Sequence, residues 1–265
     1  MKTKIVIAMV LIMVLSLVAC KKKAPQVPSE ELIEQAITFA PLPSFKEVYV
    51  ALDQVQVKDI SAAVPAKIYK TKQEEVRNAF SLGLLTADAV LAAKGRNKNK
   101  LSEISASMMN LTSLLALESE VNRLGDQMKK MIEKEEWEEL DKALDFHKGD
   151  VESKLWEQEN FDNYTLMLLG GWIEAANRVA WLIHQDYNAE RTTVLAQKGT
   201  FNSLVLNMQQ ITTPHIVEQE AFGESLKLLK EVKAIIDNDQ NRTYTKDQLK
   251  QIVTKTDEIK AAFQK

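Results

Sequence analysis

Residues 166–183, which read LMLLGGWIEAANRVAWLI, are more thoroughly apolar than the segments on either side. Apolar residues recur there at steps of three and four: Leu166, Leu169, Ile173, Ala176, Ala180 and Ile183. This is the spacing that lines one face of an α-helix. Because so little of the segment is polar, we predict a helix at the centre of the fold.

The same periodicity extends outward from this segment. It predicts further helices through residues 76–91, 101–131, 137–155, 201–211, 226–236 and 252–263. The interval 101–131 is long enough to be a single helix. No proline occurs between Pro65 and Pro214, which argues against a turn-rich β protein. We therefore predict an all-α fold, an antiparallel helical bundle or stacked helical pairs with roughly seven to nine helices.

Helix boundaries have their own signals. Three segments match the capping box, in which two side chains satisfy the free amides at a helix start: Ser44–Glu47, Thr71–Glu74 and Thr245–Gln248. Gly95 and Asn97 are typical of a helix stop, and Pro214 suits the first turn of a new helix.

The N-terminal segment has the features of a secretory signal. A short cationic start precedes an apolar run from Ile5 to Leu15, and the small residue Ala19 lies just before Cys20. The run is too short to span a bilayer comfortably as a permanent helix. We predict a cleaved signal peptide at residues 1–19.

The segment Leu17-Val18-Ala19-Cys20 resembles the lipobox of bacterial lipoproteins, in which a lipoprotein signal peptidase cuts before the cysteine. The resemblance implies a diacylglycerol on the thiol of Cys20 and usually an acyl chain on the new N-terminal amine. Palmitate is the acyl group expected at this cysteine. The alternative is an incidental cysteine at the end of a short membrane helix. Cys20 is the only cysteine, so the mature chain can form no internal disulfide.

These features divide the chain into a signal peptide, a lipidated tether at residues 20–29 and a single helical domain at residues 30–265. Apart from the covalent lipid, we expect no cofactor. Asp after the lipidated cysteine tends to retain lipoproteins at the inner membrane of enteric-type bacteria. By that analogy Lys21 favours the periplasmic face of the outer membrane in a Gram-negative cell.

The charge balance restricts the partners. Five of the 34 basic residues lie in the first 23 positions, so 29 basic residues oppose 37 acidic ones from Ala24 onward. A body with a formal charge of −8 argues against nucleic acid, which requires clustered positive charge. We expect the membrane to be a partner through the lipid, together with an envelope protein or a small ligand.

Asp88 is the least expected charge in the sequence. Its helical neighbours are all apolar: Leu84, Leu85, Leu91 and Ala92. Such a carboxylate is either a functional acid or, more commonly, part of a helix-packing ion pair or a boundary residue. Glu174 and Arg178 lie one turn apart and could face Asp88 across the core, around Tyr164 or Asn177. The alternative, which we favour, is an ordinary surface pair.

Two stretches resemble motifs of uncharacterised helical lipoproteins of Gram-negative bacteria. They are the G-x-x-x-A-D pattern of Gly83, Ala87 and Asp88 and the GGWIE stretch at residues 170–174. The resemblance covers part of the chain and implies a helical envelope lipoprotein without assigning an activity. Gly170 and Gly171 are expected to allow close helix packing, because no strand precedes them and no Walker lysine follows.

Other chemistry has no supporting pattern. His147, His184 and His215 fall on three predicted helices without metal-ligand spacing, so we expect no metal site. The acidic residues 133–141 lack the turn glycine of a calcium loop and are predicted to be a solvated face. No G-x-S-x-G sequence or free cysteine indicates nucleophilic catalysis.

Two classes of function remain. The first, which we expect, is a membrane-anchored envelope lipoprotein with a non-enzymatic helical binding or scaffold domain. The second is a periplasmic hydrolase that acts on cell-wall glycan through the paired carboxylates Asp88 and Glu174. Carboxyl groups of glycosidases lie about 5–10 Å apart and face the substrate, so their separation and solvent access distinguish the two classes.

Overall fold

The computed structural model describes residues 44, 46–54, 60–66, 74–115, 118–158, 160–238 and 241–264. All of them belong to one compact unit, residues 37–265. Within the described ranges there are ten α-helices and no β-strand, which confirms the predicted all-α fold. The predicted signal peptide, the lipidation site at Cys20 and the tether lie outside the described residues.

In chain order the helices are α1 (Lys46–Gln54), α2 (Glu75–Lys94), α3 (Lys98–Leu114), α4 (Glu118–Lys134), α5 (Trp137–Glu157), α6 (Phe161–Gln185), α7 (Lys198–Gln210), α8 (Pro214–Val217), α9 (Glu220–Asp237) and α10 (Lys246–Gln264). Short 3-10 helices occupy Ile60–Ala63 and Glu190–Leu195.

Helices α2 and α6 form the centre of the bundle and share its largest helix-helix contact. Both are long and apolar enough to cross a membrane by length and composition, yet 94% and 89% of their apolar windows are buried inside the protein. Helix α10 packs against α6 and α9, while α3 and α5 pack against α2. The apolar residues of α2 and α6 are thus covered by other helices.

The backbones of α2 and α6 touch at glycine. A Cβ atom on Gly83 would overlap the carbonyl oxygen of Met167 and lie 2.8 Å from the nitrogen of Gly171. A Cβ atom on Gly170 would overlap the carbonyl oxygen of Phe80. Only a residue without a side chain fits at these positions, as the glycine pair in the sequence indicates.

The two central helices run parallel. Gly83 of α2 lies against Met167 and Gly171 of α6, and five residues further on Asp88 faces Arg178. Contacts therefore advance along both helices in the same direction. Parallel neighbours require a long connection, which α3, α4 and α5 supply.

The predicted long helix at residues 101–131 is in fact two helices, α3 and α4, which pack against each other. Helix α3 ends at Leu114, and the Leu115 amide donates to the Leu111 carbonyl as its cap. A three-residue connection between packed helices indicates an antiparallel hairpin. The apolar periodicity continues through the turn because both halves bury the same kind of face.

Side-chain caps define several helix starts. The Thr245 amide donates to Gln248 Oε1 at 2.8 Å and the Gln248 amide donates to Thr245 Oγ1 at 3.2 Å, which confirms this capping box. The Lys46 amide donates to Ser44 Oγ at 3.3 Å. Thr71 lies outside the described residues.

Gly95 and Asn97, which are predicted to end a helix, also lie at the beginning of the next helix. Gly95 caps the C-terminus of α2, and the Asn97 side chain accepts a hydrogen bond from the Lys100 amide in the first turn of α3. The same short segment thus ends one helix and begins the next.

The glycine contact generates a stability prediction. We expect Gly83→Ala or Gly170→Ala to lower the free energy of unfolding by roughly 1–3 kcal/mol or more, because each added methyl group forces the helices apart. Gly149→Ala in α5 is the matched control, since nothing lies within 4 Å of its Cβ position. The control should stabilise the protein by about 0.5–1 kcal/mol. Urea unfolding of the purified variants measures both effects, and equal effects would contradict the packing argument.

Candidate functional site

Asp88, Glu174 and Arg178 meet inside the bundle. The side chains of Asp88 and Glu174 have no exposed surface. Nη2 of Arg178 lies 2.5 Å from Glu174 Oε1, and its Nε lies 3.5 Å from Asp88 Oδ1. The expectation that Glu174 and Arg178 form a surface pair is therefore wrong. Their turn of α6 is covered by neighbouring helices, so the carboxylate is fully buried.

Lys260 of α10 completes the ion pairs, and sequence reasoning missed it. Its Nζ lies 3.0 Å from Glu174 Oε2 and 2.9 Å from Asp257 Oδ1, and only 6% of its side chain is exposed. A signal was present, because Lys260 lies eight residues after the core residue Ile252 and so shares its helical face.

Tyr49 of α1 is the fifth residue of this cluster and was also missed. Its side chain is 1% exposed, and its hydroxyl has no hydrogen-bond partner among the described residues. Burial, and then the charges of Asp88 and Glu174, raise the pKa of the Tyr49 hydroxyl well above its usual value. The hydroxyl is therefore neutral. We refer to Tyr49, Asp88, Glu174, Arg178 and Lys260 as the polar cluster.

Burial within the polar cluster favours the protonated form of Asp88. Burial, followed by the charge of Glu174, raises the pKa of Asp88 well above its usual range. Neither Asp88 oxygen accepts a hydrogen bond from a donor in the described chain. In its protonated form Asp88 can donate a hydrogen bond to the neighbouring carboxylate of Glu174. This arrangement leaves no buried carboxylate without a proton or a cation.

Glu174 is the ionised member. Burial alone would raise the pKa of Glu174, but the charges of Lys260 and Arg178 outweigh burial and lower the pKa below its usual value. The two cations are then balanced by Glu174 and by Asp257 at the edge of the polar cluster. With Asp88 neutral, the polar cluster together with Asp257 carries no net charge, which is the least costly arrangement for a buried site.

Asn177 ties α6 to α10 beside the polar cluster. Its Nδ2 donates to the Thr256 hydroxyl at 2.9 Å, to Asp257 Oδ1 at 3.0 Å and to the Val253 carbonyl at 3.2 Å. Asn177 thus adjoins the carboxylates, as the sequence suggests. Tyr164 lies elsewhere.

Tyr164 belongs to an aromatic group at the start of α6. Its ring is 5.7 Å from that of Trp156, which is 4.8 Å from that of Phe161, both edge to face. Burial, and then the charge of Glu152, raises the pKa of Tyr164 to about 12. The group is therefore a packing contact between α5 and α6.

A pocket of about 310 Å³ opens between α1, the C-terminal end of α2 and the N-terminal end of α5. Its lining includes Tyr49, so one residue contributes both to the pocket and to the polar cluster. The complete lining is Lys46, Tyr49, Val50, Asp53, Val90, Ala93, Lys94, Arg96, Trp137, Glu138 and Asp141. We refer to it as the α1–α5 pocket.

Lys46 crosses from α1 to α5 beside this pocket. Its Nζ lies 2.8 Å from Asp141 Oδ2 and 2.5 Å from Asp145 Oδ2. Burial alone would lower the pKa of Lys46, but its hydrogen bonds to Asp141 and Asp145 raise it. A second, more open cavity of about 430 Å³ also includes Lys46 and extends to Gly149 of α5. Lys46 is therefore a charged bridge shared by two neighbouring cavities.

The histidines lie on three different helices. His147 of α5 is buried, and burial lowers its pKa. His184 is in the last turn of α6, and His215 is in α8. Across the described ranges, no group of three or more His, Cys, Asp or Glu side chains is arranged to hold a metal ion.

Comparison of the chain with protein-family models, curated proteins and solved structures found no significant match.

The protonation of Asp88 generates a pH prediction. The pKa of Asp88 is raised above its ordinary value of 3.8 in the folded state. Between the unfolded-state pKa and this raised pKa, the folded protein therefore binds more protons than the unfolded chain. The free energy of unfolding should therefore fall as the pH rises through the folded-state pKa. Asp88→Asn keeps a neutral hydrogen-bond donor and should remove this fall. Urea unfolding at about pH 5 and about pH 8 measures it. A fall that persists in Asp88→Asn would contradict the assignment.

Glu174→Gln should destabilise the protein more than Asp88→Asn does. It leaves Arg178 and Lys260 without their buried counter-ion and should cost roughly 3–5 kcal/mol at neutral pH. Asp88→Asn should stay within about 1 kcal/mol of the wild type, because its hydrogen-bond donor is retained. Asp237→Asn, at the exposed pair with Lys233, is the control and should change little. Equal losses in the first two variants would show that both carboxyls are ionised.

Proposed function

We propose that this chain is a lipid-anchored protein of the bacterial cell envelope, whose helical domain binds a partner or a small ligand and catalyses no reaction. The signal-like segment 1–19 and the lipobox-like residues ending at Cys20 support the anchor. Lys21 favours the periplasmic face of the outer membrane if the cell is Gram-negative. A single acyl chain gives only marginal membrane binding, so the two or more chains of a bacterial lipoprotein would hold the protein at the membrane.

The observation that supports a domain without catalytic activity is the complete burial of the two carboxyl groups of the polar cluster. Asp88 and Glu174 have no exposed surface, and each is the other's hydrogen-bond neighbour. A glycan hydrolase instead needs two carboxyls that reach the substrate on either side of the scissile bond, about 5–10 Å apart. In this arrangement no sugar can enter between the groups. The carboxyl pair supports a role in holding helices together.

The α1–α5 pocket supports a binding role. Its volume of about 310 Å³ falls within the usual range for small-ligand sites. Apolar side chains and unlike charges line it together, a combination that can hold and orient a small molecule. It lies within the part of the chain that would extend from the membrane beyond the tether.

The anchor is tested by Cys20→Ser. We expect the wild-type protein to incorporate a palmitate analogue and to sediment with membranes, because the acyl chains partition into the bilayer. The variant should lose both properties. Ser29→Ala, in the predicted tether, is the matched control and should label normally. Equal labelling of Cys20→Ser and the wild type would contradict the proposal.

The non-catalytic assignment is tested with purified cell-wall glycan. We expect the wild-type protein to release no soluble fragments, because neither carboxyl can reach a substrate. The Glu174→Gln variant should give the same result. Release by the wild type that Glu174→Gln abolishes would instead support the periplasmic hydrolase. Chromatography of the soluble fraction provides the measurement.

A further inference from the structure

We infer that the α1–α5 pocket binds a free apolar amino acid, with its carboxylate against Arg96 and its ammonium group against Glu138. The inference rests on the proposed binding role of the domain. It adds the chemical class of the ligand, which follows from the charges that line the pocket and from the apolar surface between them.

The first step is the charge balance of the lining. Three cationic and three anionic side chains line the pocket. Lys46 pairs with Asp141 and with Asp145, which lies outside the lining, and Lys94 pairs with Asp53. Within the described residues, Arg96 and Glu138 form no ion pair. One charge of each sign therefore remains available to a ligand. A zwitterion complements both, whereas a simple anion or cation satisfies only one.

The second step concerns the kind of group that each charge accepts. The planar guanidinium of arginine matches a carboxylate, with which it forms two parallel hydrogen bonds. Glu138 can accept hydrogen bonds from an ammonium group. Arg96 follows Gly95, the C-terminal cap of α2, whereas Glu138 lies in the first turn of α5. The two groups thus belong to different elements that border the same opening.

The third step concerns the ligand body. Trp137, which is half-buried, and the apolar residues Val50, Val90 and Ala93 contribute to the lining. Val50 is 47% exposed, so apolar surface is accessible from solvent. Burying an apolar side chain against this surface is favourable. A pocket of about 310 Å³ accommodates a single amino acid but not the acyl chains of a zwitterionic lipid.

Arg96 offers a substitution that should not disturb folding. Its φ angle is 52°, in the left-handed region that asparagine adopts more readily than arginine. Arg96→Asn therefore removes the guanidinium and suits the backbone. Arg242 has a φ angle of 62° and does not line the pocket. Arg242→Asn is accordingly a matched control for charge and backbone conformation.

The experiment is a calorimetric titration of the full-length purified protein with L-phenylalanine or L-leucine at millimolar concentrations. We expect both to bind the wild type, and L-phenylalanine to bind more strongly than N-acetyl-L-phenylalanine or L-phenylalaninamide, each of which lacks one of the two charges. Arg96→Asn should weaken binding of L-phenylalanine about tenfold or more, as loss of a charged hydrogen bond does. Arg242→Asn should bind like the wild type.

Two comparisons assign the orientation. Arg96→Asn should leave the affinity for L-phenylalaninamide unchanged, because that ligand has no carboxylate. Glu138→Gln should leave the affinity for N-acetyl-L-phenylalanine unchanged, because that ligand has no ammonium group. If L-phenylalaninamide or N-acetyl-L-phenylalanine bound the wild type as tightly as L-phenylalanine does, the zwitterion assignment would be wrong.

Absence of binding by both amino acids would overturn the ligand assignment while the acylation test of Cys20 still decides the anchor. Normal acylation without amino-acid binding would therefore refute this inference alone. Loss of acylation in the wild type would refute the anchor alone.

Discussion

The direct contact of the α2 and α6 backbones at Gly83 and Gly170 determines what the rest of the bundle can do. Two helices this close leave no room for side chains at the contact, so their larger residues point to the sides and must be covered by other helices. Because the two helices run parallel, residues one turn beyond the contact also meet. Asp88 follows Gly83 by five residues, and Glu174 follows Gly170 by four. The polar cluster therefore depends on the glycine contact.

Once the two carboxyl groups are forced together away from water, their chemistry is largely determined. Two ionised carboxylates in direct contact would repel strongly in a medium of low dielectric constant. One proton on Asp88 removes that repulsion, and Arg178 and Lys260 hold the charge on Glu174. The result joins α2, α6 and α10, and removing the charge of Glu174 would leave Arg178 and Lys260 without their buried partner. Tyr49 connects the same cluster to the lining of the α1–α5 pocket.

The sequence is sufficient to predict the helices but not to predict their arrangement. Periodic apolar residues locate nearly every helix, and the glycine pair in α6 predicts a close approach. The turn between α3 and α4 cannot be predicted from the sequence. An apolar periodicity that continues in phase is the same for one long helix and for a helical hairpin. The parallel direction of the central pair is hidden for a similar reason. Asp88 is recognisable from its apolar neighbours, and Lys260 shares a helical face with Ile252. Tyr49 gives no such signal, because it becomes a partner only through distant parts of the chain.

The burial of ionisable groups inside α2 and α6 has a further consequence if the chain is exported. Both helices are apolar enough to pass for membrane spans, and a secretion channel samples each segment before the domain has folded. A charge near the middle of such a helix costs about 2.5–3.5 kcal/mol on insertion scales. Asp88 in α2, and Glu174 with Arg178 in α6, therefore disfavour lateral release into the bilayer. The same residues that join the folded helices would help the unfolded chain to complete its translocation.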